Sequence, residues 1–161
     1  AALFLGGDEM PAGTYGSLVS AADHKSAAFE GNGILWVGDG PPGSYATWAS
    51  ANGIPGHPFD GDFNHDGVSN GVAYALGLSP TASSQPPGVL SGNTITFTKG
   101  ADAIANGDVI WTIETSSTLD TGSWSEEVSQ AAGDAAATIS HSFTPGSPVR
   151  KFARLKVETH P

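Results

Sequence analysis

The sequence predicts a mainly β fold: N-terminal β strands, a short helical segment around a loop of acidic and amide residues, and a C-terminal antiparallel β-sandwich. Three observations carry this. Gly at 22 and Pro at 11, with many Thr, Ser and Asn, suit strands joined by turns. Across residues 93–161 apolar side chains recur at every second position between turn clusters, the pattern of a half-buried sheet. Between the two β regions, Asp60-Gly-Asp-Phe-Asn-His-Asp-Gly-Val-Ser-Asn70 places an oxygen-bearing side chain at 60, 62, 64 and 66 and a glycine directly after.

Residues 1–40 read as strand and turn. Ala2-Leu3-Phe4-Leu5 is apolar, Gly6-Gly7-Asp8 turns, Pro11-Ala12-Gly13 turns again, and Gly33-Ile34-Leu35-Trp36-Val37 is a second strand. Residues 41–92 hold a linker, two short helices and the acidic loop. Gly38-Asp39-Gly40-Pro41-Pro42-Gly43 breaks the chain, and Ser44 caps a helix through Tyr45, Trp48 and Ala49 that stops at Asn52-Gly53. Gly71–Leu76 is one or two helical turns ending at Gly77, with Trp48, Tyr74 and Leu76 as a small core. Ser79–Gly92 is a second linker, rich in Ser and Pro. Residues 93–161 form the sandwich. Ile95 and Phe97, then Val109, Trp111 and Ile113, then Ala137, Ile139, His141 and Phe143, and last Val149, Ala153, Leu155 and Val157 each line one face.

The acidic loop has the frame of a calcium site. Calcium takes six to eight oxygens, and a loop of the EF-hand type supplies them from positions 1, 3, 5, 7 and 9, with Gly at 6 for the turn. Counted from Asp62, those positions are Asp62, Asn64, Asp66, the Val68 carbonyl and Asn70, and Gly67 stands at 6. Position 12, where a bidentate Glu closes the shell, is Ala73; Asp60 or water is the candidate to replace it. The competing reading is a turn rich in Asp and Asn that binds nothing, since these residues favour turns for their own reasons. With few charged ligands, the expected affinity is that of extracellular modules, ~10⁻⁴ to 10⁻³ M. Such affinity is useful where calcium is abundant, outside the cell.

Charge excludes several classes. Sixteen acidic against six basic residues give a net charge of −10, the wrong sign for phosphate backbones or anionic membrane surfaces. Arg150, Lys151, Arg154 and Lys156 do gather, but on one alternating strand with a charged outer face. No apolar run is long enough to span a bilayer. Cysteine is absent, which removes disulfides and thiolate sites together. A structural metal then becomes a more plausible staple. No secretory leader and no initiator Met are present, and the chain reads as a processed or excised piece.

Nearly the full length resembles the C-terminal region of large secreted bacterial proteins with autotransporter-associated β-strand repeats. Ala2–Gly7, Pro11–Gly16 and Gly31–Val37 are similar to the last rungs of such a β-solenoid. Trp48–Gly53 and Asp62–Gly77 resemble the dockerin-like or thrombospondin-type-3-like calcium loop that follows. Thr112–Glu114, Leu119–Trp124 and Phe152–Val157 resemble its terminal β-domain. The resemblance implies surface display and calcium binding rather than an assigned activity. Where a Glu is common at position 12, this chain has Ala73.

Catalysis finds no support in the residues. His24, His57, His65, His141 and His160 are scattered, without a metal-type His pair, and no Gly-x-Ser-x-Gly elbow is present. His141 reads as a packed strand histidine and His65 as a solvated loop residue. The remaining expectation is a non-enzymatic structural module, with an accessory domain of a secreted hydrolase as a minor alternative. Calcium-dependent carbohydrate binding or adhesion is the other reading: Trp48 and Trp111 lie in apolar patterns, Trp36 and Trp124 are the two tryptophans open to exposure, and Trp124 sits in a turn where a sugar could stack. For self-assembly, Ala1, Ala2, Leu3, Phe4 and Leu5 form a short apolar strand in need of a partner edge, in its own chain or in a neighbouring subunit. Self, as a homo-oligomer or fibre, and cell-surface components are the expected partners.

Overall fold

The computed structural model describes residues 3–11, 13–37, 43–84, 87–146 and 150–160, without the side chain of Glu9. Ala1 and Ala2 of the apolar strand, the Gly38–Pro42 stretch and Val149 lie outside the described residues. The architecture is mainly β, as the alternation predicts. The short strands β1 (Phe4–Leu5) and β2 (Asp8–Glu9) pair antiparallel around Gly6 and Gly7, whose φ of +66° and +99° make the turn. β3 (Gly13–Gly16) lies between β4 (His24–Lys25), parallel to it, and β5 (Ile34–Val37), antiparallel. Tyr15, Ala22 and Val37 are buried here, whereas Ile34, Leu35 and Trp36 are all more than 40% exposed.

Two helices follow. α1 (Tyr45–Ala51) starts where the Ser44 side chain accepts the Thr47 N–H, and α2 (Asn70–Leu76) where Ser69 accepts that of Val72. Gly77 closes α2 in the left-handed conformation, as its position predicts. Within the expected second linker the chain already forms β6 (Val89–Ser91), which pairs with β7 (Thr94–Thr98). An unexpected helix, α3 (Ala101–Asn106), intervenes before β8 (Val109–Ser116), and β9 (Ser125–Gln130), β10 (Thr138–Ser142) and β11 (Phe152–Thr159) complete the chain.

The C-terminal strands build two three-stranded antiparallel sheets, ordered β10-β7-β6 and β11-β8-β9. They share one core. Phe97 and Ile139 come from the first sheet, Val109, Trp111 and Ile113 from the second, and Trp48, Ala49, Ile54, Tyr74, Ala75 and Leu76 from the helical segment. The helices therefore do not form a separate small core but plug one side of the sandwich. Gly100 permits this: a Cβ there would stand 2.5 Å from the Gly77 nitrogen and 2.9 Å from the Tyr74 carbonyl.

Candidate metal centre

The loop between α1 and α2 is held at its base before it is shaped at its tip. Ile54, fully buried, anchors the chain leaving α1. The Tyr45 hydroxyl donates to the carbonyls of His57 (3.0 Å) and Pro58 (3.2 Å). Burial pushes the Tyr45 hydroxyl pKa up, and the charge of Asp60 adds to the shift. Asn70, 2% exposed, closes the base. Its N–H donates to Gly61 O at 2.6 Å, its Nδ2 to Pro58 O at 3.0 Å, and its Oδ1 accepts the Phe63 N–H at 3.1 Å.

At the tip the expected oxygens turn toward backbone N–H groups of the same loop. Gly67 N donates to Asp62 Oδ2 at 2.8 Å, Asp66 N to Asn64 Oδ1 at 3.2 Å and Val68 N to Asp66 Oδ1 at 2.8 Å. His65 at φ +58° and Gly67 at φ +86° give the curvature; the first is the left-handed region unusual for a non-glycine residue. Asn64 Nδ2 bridges Asp66 Oδ2 (3.1 Å) and the Ala82 carbonyl (2.8 Å). Ser84 N–H also reaches Asp66 Oδ2. These N–H groups, that of Ser84 foremost and that of Val68 next, hold the Asp66 carboxyl below its ordinary range, so it is anionic at neutral pH.

One atom stands out. Asp62 Oδ1 is buried and, like Ser50 Oγ and Gln130 Oε1, has no hydrogen-bond partner among the described residues; it is the one carboxylate oxygen of the three, and Oδ2 of the same group is tied to Gly67. A buried carboxylate oxygen without a partner is costly, and a cation is the simplest way to satisfy it. The donor set fits a hard ion: two carboxylates, Asp62 and Asp66, with the Asn64 amide oxygen between them in sequence. Among the described residues no group of three or more His, Cys, Asp or Glu side chains is placed to hold a metal, so a shell here needs amide, carbonyl and water oxygens as well.

The other expected residues divide. Asp60 is exposed and lies on a cleft wall with Arg154 and Lys156, and it makes no hydrogen bond to the loop among the described residues. The side chain of Asn70 spends both ends on the loop base, where it acts as a tie. Val68 donates its N–H to Asp66 and is half-buried. Trp124 is half-buried, with the Arg154 guanidinium 4.2 Å from its ring centre, so that part of the ring is covered by protein. Arg154 is itself held by Glu114, with Nε and Nη2 each 2.7 Å from Oε2. Phe4 is 60% exposed, and Leu3 and Leu5 are half-buried.

A second polar cluster lies outside the residues that spacing and motif single out. The Tyr74 hydroxyl donates to Asp108 Oδ1 and accepts from Asn106 Nδ2, both at 2.7 Å, and Asp108 Oδ2 accepts the Tyr45 N–H at 3.1 Å. Asp108 thus fastens the start of α1, the middle of α2 and the entry to β8 to one carboxylate. Burial first, then the bond to Asp108, raises the Tyr74 pKa far above its ordinary value. The turn Asn106-Gly107-Asp108 before a strongly apolar strand was its only trace in the sequence. Comparison of the chain with protein-family models, with curated proteins and with solved structures finds no match.

Proposed function

We propose that the chain is an extracellular, non-enzymatic structural module whose Asp62–Asn70 loop binds Ca²⁺ and that it builds or terminates a surface-displayed assembly. The observation that carries this reading is the buried Oδ1 of Asp62, without a hydrogen-bond partner among the described residues, in a loop curled around Asp62, Asn64 and Asp66. Calcium satisfies that oxygen and offsets the repulsion between two carboxylates held on one turn. Because α1 and α2 flank the loop and both enter the shared core, the ion strengthens the plug that closes one side of the sandwich. The low charged fraction of 14% and the absence of cysteine agree with a module of this kind, and the surface location follows from the affinity range expected of the loop.

Titration calorimetry on demetallated protein, paired with thermal melts with and without calcium, tests the proposal. Heat of binding with a stoichiometry of about one and a calcium-dependent rise in Tm are expected. Absence of both, in protein that is folded, overturns the metal reading.

A further inference from the structure

Two clefts beside α2 share Ser69, Val72, Arg154 and Leu155 and so form one groove. The larger part, about 460 Å³, extends toward Ile95 and Phe97 of β7. The smaller, about 360 Å³, extends past Phe59 toward Val157. Its floor is apolar: Val72, Ile95, Leu155 and Val157 are partly buried side chains resting on the core. β11 runs along it and is the last strand in the order β11-β8-β9, so among the described residues one of its edges lacks a strand partner. An apolar floor beside an unpaired edge suits an extended segment, which bonds to the edge through its main chain and sets alternate side chains in the floor.

The rim and a distant part of the same chain are complementary. Arg154 and Lys156 edge the groove, each bound to a glutamate of its own chain (Glu114 at 2.7 Å, Glu158 at 2.8 Å) and with Asp60 on the same wall. β11 with the residue just before it carries three of the six basic residues of a chain with net charge −10. The apolar segment Leu3-Phe4-Leu5 is only partly covered by its own chain, with Leu3 and Leu5 half-buried. Among the described residues it pairs with Asp8–Glu9 through β1 and, at the Leu3 carbonyl, with the Met10 N–H at 2.8 Å; Phe4 stays 60% exposed, and none of the three side chains belongs to the core cluster. An acidic residue, Asp8, follows it closely.

We infer that the groove beside β11 receives residues 3–5 of a second copy of this chain as an added strand, with Asp8 of that copy brought against Arg154 and Lys156. The contact is head to tail, because the donating and receiving surfaces differ, and it propagates as an open chain unless its rotation closes a ring. This inference rests on the assembly half of the proposed function and is independent of the calcium half.

Sedimentation velocity on the full chain tests it, in calcium and in chelator, with Phe4→Asp, which blocks donation, and Ala153→Arg, which fills the groove. The parent protein is expected to associate with rising concentration and each variant to stay monomeric. Phe4→Asp should weaken association by at least about tenfold, the loss expected from one buried aromatic. An equal mixture of the two variants should form dimers and nothing longer, since each retains the surface the other lacks. A parent protein that stays monomeric throughout, or a Phe4→Asp variant that associates as well as the parent, overturns the inference. Phe4 is exposed, so its replacement leaves folding intact. Should Ala153→Arg not fold by circular dichroism, a peptide of residues 3–9 replaces it as competitor, and undiminished assembly in its presence is equally adverse. Loss of calcium response with assembly intact sinks only the metal proposal, and the reverse sinks only this one.

Discussion

Ser84 donates its backbone N–H to Asp66 Oδ2 at 2.6 Å, across a separation of eighteen residues that includes all of α2. With the Asn64 bond to the Ala82 carbonyl, this ties the stretch that follows α2 to the tip of the proposed metal loop. An ion at the loop would therefore order more than the loop.

Chelation is expected to speed protease cleavage within residues 60–84 as a block, rather than at the loop tip alone. Calcium at tenfold over Kd adds about 1.4 kcal/mol to stability. For a chain of this size that is a rise in Tm of about 3–6 °C. Asp62→Ala removes the orphaned oxygen and should abolish the calcium-dependent part of both measurements. A variant that keeps the full calcium shift would show that Asp62 is not a ligand.

Asp66 predicts an acid response in the metal-free protein. Its folded-state pKa is lowered from an ordinary value of 3.8, chiefly by the Ser84 N–H. A lowered carboxyl contributes stability that is present above its unfolded pKa and is lost as pH falls through the folded one. Urea midpoints followed from about pH 6 down to about pH 2 should therefore fall less steeply in Asp66→Asn than in the parent. Parallel curves would mean that the Ser84 bond forms without favouring the charged form.

Tyr74→Phe leaves Asp108 Oδ1 and Asn106 Nδ2 without their shared partner at the junction of α1, α2 and β8. Losing a part-buried partner of a charged group costs about 1–3 kcal/mol, to be read as a lower urea midpoint at unchanged m-value. The raised pKa of Tyr74 adds an alkaline signature. Its stabilisation is complete below the unfolded tyrosine value of 10.0 and is lost as pH rises through the folded value. The parent should thus weaken above about pH 10 more steeply than Tyr74→Phe.

The legible parts of this chain are those whose signals are local. Ser44 and Gly77 mark helix ends by side-chain or backbone chemistry that acts within a turn, and α1 begins and α2 ends where these residues place them, whereas α2 starts one residue before the expected Gly71, on the Ser69 cap. The alternation in β7 and β10 reports a single buried face for the same reason, whereas β8, the central strand of its sheet, buries Thr112 and Ser116 on the face opposite Val109, Trp111 and Ile113. α3 left no such mark, because its cap, Gly100, has no side chain to bond and was kept small by the approach of Gly77. β9 reads Ser-Glu-Glu-Val-Ser-Gln, with Val128 its one apolar contact to the core, so its strand character comes from pairing with β8. In the candidate site, spacing identified the loop and its Asp62, Asn64 and Asp66 turn. It could not assign Asn70 to the loop base or Asp60 to a different wall, since both follow from Pro58 and Phe63 folding back on the loop.

Lys99 gives a separate test of the core. Its side chain is fully buried, with Nζ 4.0 Å from the Trp111 ring centre, 3.0 Å from the Asp134 carbonyl and 3.1 Å from Asp134 Oδ1. The aliphatic stem fills core volume while the ammonium binds the 131–137 connection. Lys99→Ala opens a cavity and strands the Asp134 groups, and a loss of about 2–4 kcal/mol is expected. Lys99→Met keeps the stem and should recover a large part of that loss. The fluorescence of Trp111 should change in both, because each removes the cation from its face.

Trp124 separates the glycan reading from a structural one. The Arg154 guanidinium lies over its ring and is locked by Glu114, which is only 14% exposed. Ring, cation and carboxylate form one stack that joins the 117–124 turn to β8 and β11. A partly exposed cation–π contact contributes about 0.5–1 kcal/mol, so Trp124→Ala should lower stability by at least that much through lost packing and charge contact. Glu114→Gln should loosen Arg154 and weaken the same turn, although it leaves the indole in place. If Trp124 served a glycan instead, Trp124→Ala would abolish binding to a glycan panel while Glu114→Gln left it unchanged. Equal losses of stability in the two variants, with no glycan bound by the parent, are the expected outcome. Binding by the parent that survives Glu114→Gln and fails in Trp124→Ala would reverse the assignment.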